Sequence, residues 1–389
     1  MPKRLYTPTF LLLQVSNFFF AGSFSMILPE LPAYLTSLGG EDFKGLIIAL
    51  FAGTAAVSRP IAGKLADHIG RRPVMIIGTL VCVICSSLYP FLTSLYGFFL
   101  LRLLHGGSTG FKPTAGTAYV ADLSPPDRRG EAMGINSVSS NVGFSSMPVF
   151  GSWLANTYTI DVMFVVSAVM ALVSVLLLLR LPETLPQPKP FRAKLLRLRP
   201  REIVEPVALP PAVVTLLVYF PYGVVLTIIP DYADHLGMTN RGLFYTFFTL
   251  TSILSRVVAG KASDRYGRLA VIAVAVLATT ASLLVIGFAA TPAQLLFGGA
   301  LLGFSMGIAA PATFAWTVDR ADDRRRGTAM ATVYIALEIG IGAGAMLSAY
   351  LYANEAENFS WAFLWTAAWV ALAIPYLIWF RWRNSTAIS

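Results

Sequence analysis

The chain has 389 residues, of which 56% are hydrophobic and 13% charged. That is about half the charged fraction of an ordinary soluble domain, and it excludes a soluble globular protein. The formal net charge of +9 would suit a nucleic acid, but the basic residues fall in alternate loops between long apolar runs, which argues against such a partner.

Apolar runs of about 20 residues cross a bilayer as helices. In chain order they predict spans at 8–36, 44–63, 73–92, 95–121, 131–155, 161–181, 209–235, 241–260, 269–290, 292–318, 327–352 and 359–380. The sequence lacks the alternating segments of about ten residues that mark a membrane barrel. The expected fold class is therefore all-α integral membrane, with twelve transmembrane helices. The basic start of span 1 resembles a signal peptide, yet its run is too long and lacks a small-residue cleavage site, so it reads as a retained helix. Cys82 and Cys85 lie inside an apolar span and are expected to pack there, with no disulfide, metal or cofactor role. Pro182-Glu183-Thr184 opens a Pro- and Arg-rich stretch, so the chain divides into 1–181, a linker 182–208, and 209–389. Within the linker, Arg192 to Leu198 predicts a short basic amphipathic helix on the membrane surface.

With the N-terminus inside, the cytoplasmic segments hold Lys3, Arg4, Lys64, Arg71, Arg72, Arg128, Arg129, the Lys189 to Arg201 group, Lys261, Arg265, Arg268, Arg320, Arg324 to Arg326, Arg381 and Arg383. The opposite loops hold little beyond Lys44 and Arg241. This asymmetry orients the protein with both termini in the cytoplasm, and its basic loops suit anionic lipid head groups.

The chain also repeats itself. The block from Ser58 to Arg71 returns as Ser255 to Arg268, 197 positions later, and Arg128-Arg129-Gly130 returns as Arg325-Arg326-Gly327 in the same register. Gly22 and Pro29-Glu30 return as Gly223 and Pro230-Asp231 at an offset of 201, as a loop insertion would produce. A long direct repeat in an apolar chain implies two pseudo-symmetric six-helix bundles around a central site, which is an architecture for transport.

The loop Gly63-Lys64-Leu65-Ala66-Asp67-His68-Ile69-Gly70-Arg71-Arg72 resembles the signature loop of the major facilitator superfamily. Arg102-Leu103-Leu104-His105-Gly106-Gly107 is similar to that family's membrane arginine motif, and Ala121 to Gly130 to its loop before helix 5. With the second-half copies the resemblance covers the whole chain and points to the twelve-helix drug:proton antiporters. That branch usually carries a Gly-Pro pair in helix 5, where this chain has Met147-Pro148. The resemblance implies a secondary transporter of the cell inner membrane, and not an enzyme.

From the residues alone, Gly63 and Gly70 permit a sharp turn, Asp67 can face a helix N-terminus, and Arg71 or Arg72 can pair with a carboxylate such as Asp122. The second half repeats the set as Gly260, Asp264, Gly267 and Arg268, with Asp319 in the place of Asp122. Together they read as a doubled conformational latch. The resemblance implies that Asp67 meets the start of helix 11 near Gly327, and Asp264 the start of helix 5 near Gly130 and Glu131.

Ionisable groups inside spans are functional hypotheses by default. Glu30 and Arg102 fall at similar depth in the outer third of the bilayer, and are assigned to proton coupling or to a fixed ion pair. Lys112 and Glu338 fall near the midplane, as substrate contacts or as partners of each other. His105, Asn17, Asn141 and Trp316 complete the candidate substrate site, and Asn136 is a further buried amide seeking a partner. Asp231 reads as a solvated loop edge. The overall expectation is a monomeric exporter of a small amphipathic molecule, drug-like or an acidic metabolite or chelator, driven by protons. A symporter or facilitator for metabolite uptake is the alternative, and a membrane sensor or scaffold the reading outside transport.

Overall fold

The structure is a computed structural model that describes residues 5–124, 129–198, 203–321 and 326–385; the side chains of 129–131, 133, 257, 258, 260, 261, 264, 326–328, 384 and 385 lie outside the described residues. The described part is helical without strands. The long helices are α1 Pro8–Met26, α2 Lys44–Ile69, α3 Arg71–Leu88, α4 Leu95–Leu123, α5 Arg129–Thr157, α6 Ile160–Leu179, α7 Leu209–His235, α8 Gly242–Tyr266, α9 Arg268–Gly287, α10 Pro292–Arg320, α11 Arg326–Tyr352 and α12 Phe359–Ala371. The turn Leu28–Glu30 and the short helix Leu31–Ser37 carry α1 onward, and Ala373–Ser385 does the same for α12.

Local sequence sets the boundaries. Thr7, Ser94, Thr159 and Thr291 each cap a helix by accepting a backbone N–H with the side-chain oxygen, which satisfies a donor that the first turn leaves open. Ser94 and Thr291 lie 197 positions apart, so the repeat extends to the caps. Gly70 and Gly267, also 197 apart, precede α3 and α9 with φ of 118° and 88°. A side chain is strained in that region, and glycine is not.

Among the described residues nine segments are long and apolar enough to cross a membrane. Helices α4, α5 and α8 are not among them, and α4 and α5 are where the polar residues concentrate. The expected basic helix in the linker is present only as the short 3-10 turn Ala193–Leu196. The linker is tied back to α2 instead, since Lys189 N donates to His68 O at 2.7 Å and Lys64 Nζ to Arg197 O at 2.8 Å.

The chain divides into two compact units, Met1–Gly40 with Leu50–Arg199, and Glu41–Ala49 with Pro200–Ser389. In the first, α1 packs on α5 and α6, and α3 on α4 and α6. In the second, α7 packs on α11, α8 on α10, and α9 on α10 and α12. A common device closes one seam in each unit. A Cβ at Gly106 would strike the Phe51 carbonyl and one at Gly110 would strike Ser58, while in the second unit Gly303 meets the Phe248 carbonyl and Gly307 meets Ser255. Small residues four apart let helix backbones approach where lipid supplies no hydrophobic drive.

Polar clasps hold α1 to α6. The hydroxyls of Ser16 and Ser174 lie 2.8 Å apart, and Ser174 Oγ donates to Ser16 O at 2.9 Å. Ser23 Oγ donates to Ser167 O at 2.9 Å, and Ser167 Oγ returns a bond to Ser23 O at 2.8 Å. Each such bond inside a membrane bundle contributes about 0.6 kcal/mol. Their value is therefore as much in fixing the rotation of α1, which sets where its other polar residues point.

Candidate functional site

That rotation brings Asn17 to Lys112. Lys112 is 1% exposed, and its Nζ donates to Asn17 Oδ1 at 2.7 Å and Ser16 O at 3.1 Å while lying 4.7 Å from the centre of the Phe20 ring. Among the described residues these partners are all neutral. Burying an ammonium costs several kcal/mol, and charge-assisted hydrogen bonds contribute about 1.5–3 kcal/mol each, so the arrangement roughly breaks even for stability. A hydrophobic residue would fold as well, and the lysine calls for a functional reason. Asn17 extends the network, donating through Nδ2 to Asn136 Oδ1 on α5 at 2.7 Å.

About two to three turns toward the start of α4, His105 and Arg102 are fully buried. Arg102 Nη1 donates to the Tyr89 hydroxyl at 3.4 Å, and its guanidinium lies 4.6 Å from the Phe51 ring centre. His105 sits between Tyr89 and Cys82, with Nδ1 3.5 Å from the Tyr89 hydroxyl and Nε2 3.2 Å from the Cys82 sulfur. His105 is thus packed inside the bundle wall. Cys82 and Cys85 are buried free thiols.

Glu30 is also buried, at the 3-10 turn that ends α1, and it accepts a hydrogen bond from Ser152 Oγ of α5 at 2.6 Å. On α5, Met147 packs over Gly22: a Cβ there would stand 2.6 Å from Met147 Cγ. Glu338 is buried on α11, and Asn141 is half-buried on α5. Trp316 is buried edge-on to Phe380, with ring centres 5.2 Å apart.

The two signature loops build matching networks. Arg71 Nε donates to Asp122 Oδ2 at 3.1 Å, Nη1 lies 3.1 Å from Asp67 Oδ1, and Nη1 donates to Ala66 O at 2.8 Å. In the second unit Arg268 Nε donates to Asp319 Oδ2 at 2.9 Å and Nη1 to Ser263 Oγ at 3.0 Å. The side chains of Asp264 and Glu131 and the surroundings of Gly260, Gly130 and Gly327 lie outside what the structure describes, so the contacts expected of Asp67 and Asp264 at the starts of α11 and α5 are not among those described. Arg72 takes a different partner, donating to Leu179 O at 2.8 Å.

Two residues have roles the sequence did not reveal. Glu183, read as the start of the linker, accepts the backbone N–H of Arg71 and of Arg72, each at 3.0 Å. It thereby places a carboxylate on the positive end of α3. Asp231, read as a solvated edge, is paired with Lys44 at 2.6 Å, and the two side chains are 17% and 8% exposed. The available signal was Lys44 itself, a cation on a side of the membrane where the sequence has few.

Comparison with known proteins bears on the family and the fold. The profile of the Major Facilitator Superfamily matches residues 13–247 and again 211–389. The multi-drug resistance efflux pump PmrA of Streptococcus pneumoniae is 29% identical over 311 residues, covering 76% of this chain and 77% of its own. The multidrug resistance protein MdtG of Enterobacter lignolyticus is 28% identical over 380 residues, covering 93% and 89%. Among solved structures, the human organic anion transporter MFSD10 superposes with a TM-score of 0.73 at 20% identity, over 95% of this chain and all (100%) of its own. A variant of the nucleoside transporter NupG gives 0.74 at 14% identity over 95% and 99%. The structural likenesses speak for the fold.

Proposed function

This chain belongs to the Major Facilitator Superfamily and is a multi-pass membrane transporter of small molecules, and from that premise we propose that it exports a small amphipathic substrate from the cytoplasm in exchange for protons. The halves 1–181 and 209–389, joined by 182–208, would alternate access to a site between two membrane faces. Both termini lie in the cytoplasm on this reading, the membrane is the cell inner membrane, and the unit of function is the monomer in contact with anionic lipid.

The observation that carries the reading is the burial of Glu30, Arg102 and Lys112 in the membrane-spanning part of the first unit. Charges are retained at such depth for ion or substrate pathways. Glu30 is the proton-coupling carboxylate. It is held by Ser152, and on this reading it takes up and releases the exchanged proton, with Arg102 as the second coupling residue. Lys112 and its amide partners, with Asn141 on α5, form the polar part of the substrate site in the first unit, and Glu338 and Trp316 are the residues assigned to substrate in the second. The loops around Arg71 and Arg268 are the conformational latch. The name of PmrA, a multi-drug resistance efflux pump, supports the outward direction.

One observation favours a second reading. Met147 stands where the antiporter branch has glycine and packs over Gly22, which suits a facilitator or a symporter. Proteoliposomes with an imposed pH gradient separate the two. Antiport predicts substrate flux opposite to proton flux, abolished in Glu30→Gln although the variant still purifies as a folded monomer. Substrate flux without proton movement defeats antiport, and no flux of any tested compound defeats the assignment of transport competence to the purified chain.

A further inference from the structure

A charged Lys112 fixes the direction of every hydrogen bond that leaves it. An ammonium only donates, whereas a side-chain amide both donates and accepts. Lys112 Nζ, 2.7 Å from the Asn17 side chain, obliges Asn17 to present its carbonyl oxygen. The Asn17 amide nitrogen is thereby turned to Asn136, 2.7 Å away, and Asn136 must answer with its own carbonyl oxygen. The flip ambiguity common to amides is removed at both residues. Asn136 is left with its Nδ2 hydrogens directed away from Asn17.

The side of α5 that carries Asn136 is polar and partly accessible. Asn136 is half-buried, and the residues that share its face three and four positions on are Ser139 and Ser140, both half-buried. Such a face on a membrane helix belongs to a bundle interior or a water-filled path, not to lipid. Hydrocarbon would leave the Asn136 donor unsatisfied at a cost of about 1–3 kcal/mol.

We propose that the Asn136 amide is a substrate contact locked as a hydrogen-bond donor by the Lys112–Asn17 relay, and that it selects molecules presenting an acceptor oxygen, a carboxylate or carbonyl. The proposal rests on the transport reading and deepens it. Lys112 need not touch the substrate: it is a positioning residue that sets the polarity of a group two hydrogen bonds away. Among the described residues Cys82 on α3 is the titratable group that acts on Lys112 from a neighbouring element, and it is hydrogen-bonded to Ser23 and His105.

The test uses the full chain in proteoliposomes with two probes: fluorescein, which carries carboxylate and ketone acceptors, and ethidium, a cation with amine donors and no carbonyl. Asn136→Asp keeps an oxygen toward Asn17 and replaces the outward donor with an acceptor. It is expected to lower the transport efficiency for fluorescein roughly tenfold relative to ethidium, the scale of one hydrogen bond to a charged group. Lys112→Gln frees both amides to flip and is expected to narrow the wild-type preference between the probes. Size-exclusion profiles establish folding, and Asn136→Gln and Asn136→Leu serve where the aspartate variant fails to fold, the glutamine retaining more of the preference. Equal losses for both probes, or none, overturn the proposal and leave transport standing. A wild-type protein that moves ethidium but not fluorescein also overturns it. Movement of neither probe defeats the transport reading itself.

Discussion

Set side by side, the two units share their seams and differ in their polar interiors. Gly106 and Gly110 answer to Gly303 and Gly307, and the Arg71–Asp122 bond to Arg268–Asp319, all at the same 197-residue offset. At that offset Arg102, His105 and Lys112 answer to Gly299, Leu302 and Ala309. Geometry that each half needs in order to pack and turn has been kept twice. The charged and polar side chains assigned to the proposed site at these positions stand in the first unit and have apolar counterparts in the second. The contrast separates the shared scaffold from the proposed site without reference to any ligand.

The largest effect should come from the shared seam. Gly106→Leu drives a side chain into the Phe51 carbonyl and Gly303→Leu into the Phe248 carbonyl. Overpacking against backbone, which cannot rotate away, costs at least about 1–3 kcal/mol. Both variants should lose most of their folded yield, read as monodisperse protein on size exclusion. If only one of them does so, the seams are not equivalent and the symmetry argument fails.

A second pair of contacts differs in burial as well as in the cation. Lys44 and Arg241 are 197 positions apart, and each holds an aspartate at 2.6 Å within the second unit. Lys44–Asp231 has side-chain exposures of 8% and 17%, against 21% and 44% for Arg241–Asp234. Removing one member of a buried pair strands the other charge, at a cost of about 3 kcal/mol, whereas an exposed pair contributes about 1 kcal/mol or less. Lys44→Met should therefore lower the melting temperature several-fold more than Arg241→Met, and only the latter effect should shrink in high salt. Equal shifts would mean that burial does not govern these pairs.

What the sequence made legible follows the same division. The repeat, the spans and the loop motifs are patterns along the chain, so they are readable without knowing what faces what. Arg71 with Asp122 belongs to that class, although the sequence left Arg72 as an equal candidate and the fold sends Arg72 to the Leu179 carbonyl. Pairings across helices are less legible. A membrane helix that is apolar all round carries little information about its rotation. Depth alone offers Lys112 a substrate or Glu338, and nothing in α1 announces that the Ser16 and Ser23 clasps turn Asn17 toward it. Asp231 was read from neighbouring Asp234 and His235 as solvated, while its partner lies 187 residues away. Glu183 was hidden by its setting, since an acid between proline and threonine at the end of a span reads as punctuation.

Glu183 also marks where the shared loops diverge, and it gives the smallest and most selective test. Its two carboxylate oxygens accept the first N–H groups of α3, from Arg71 and Arg72. The space around Gly70 is so closely occupied by that carboxylate that a Cβ there would collide with it. Around Gly267 a Cβ would meet nothing within 4 Å, and 197 positions after Glu183 stands Phe380, which packs on Trp316. The arginine–aspartate bond is thus common to both loops, and a carboxylate cap of this kind is seen in the first. Removing a helix cap costs about 0.5–2 kcal/mol, with a further contribution from a negative charge at the helix N-terminus of about 0.3–1 kcal/mol. Glu183→Ala should lower stability by about 1–2 kcal/mol, and Glu183→Gln, which keeps one acceptor but no charge, by roughly half of that. Hydrogen exchange should rise at the amides of Arg71 and Arg72 in Glu183→Ala toward the rates of Arg268 and Leu269. If those two pairs already exchange alike in the wild type, the carboxylate contributes no local protection, and the difference between the loops is geometric only.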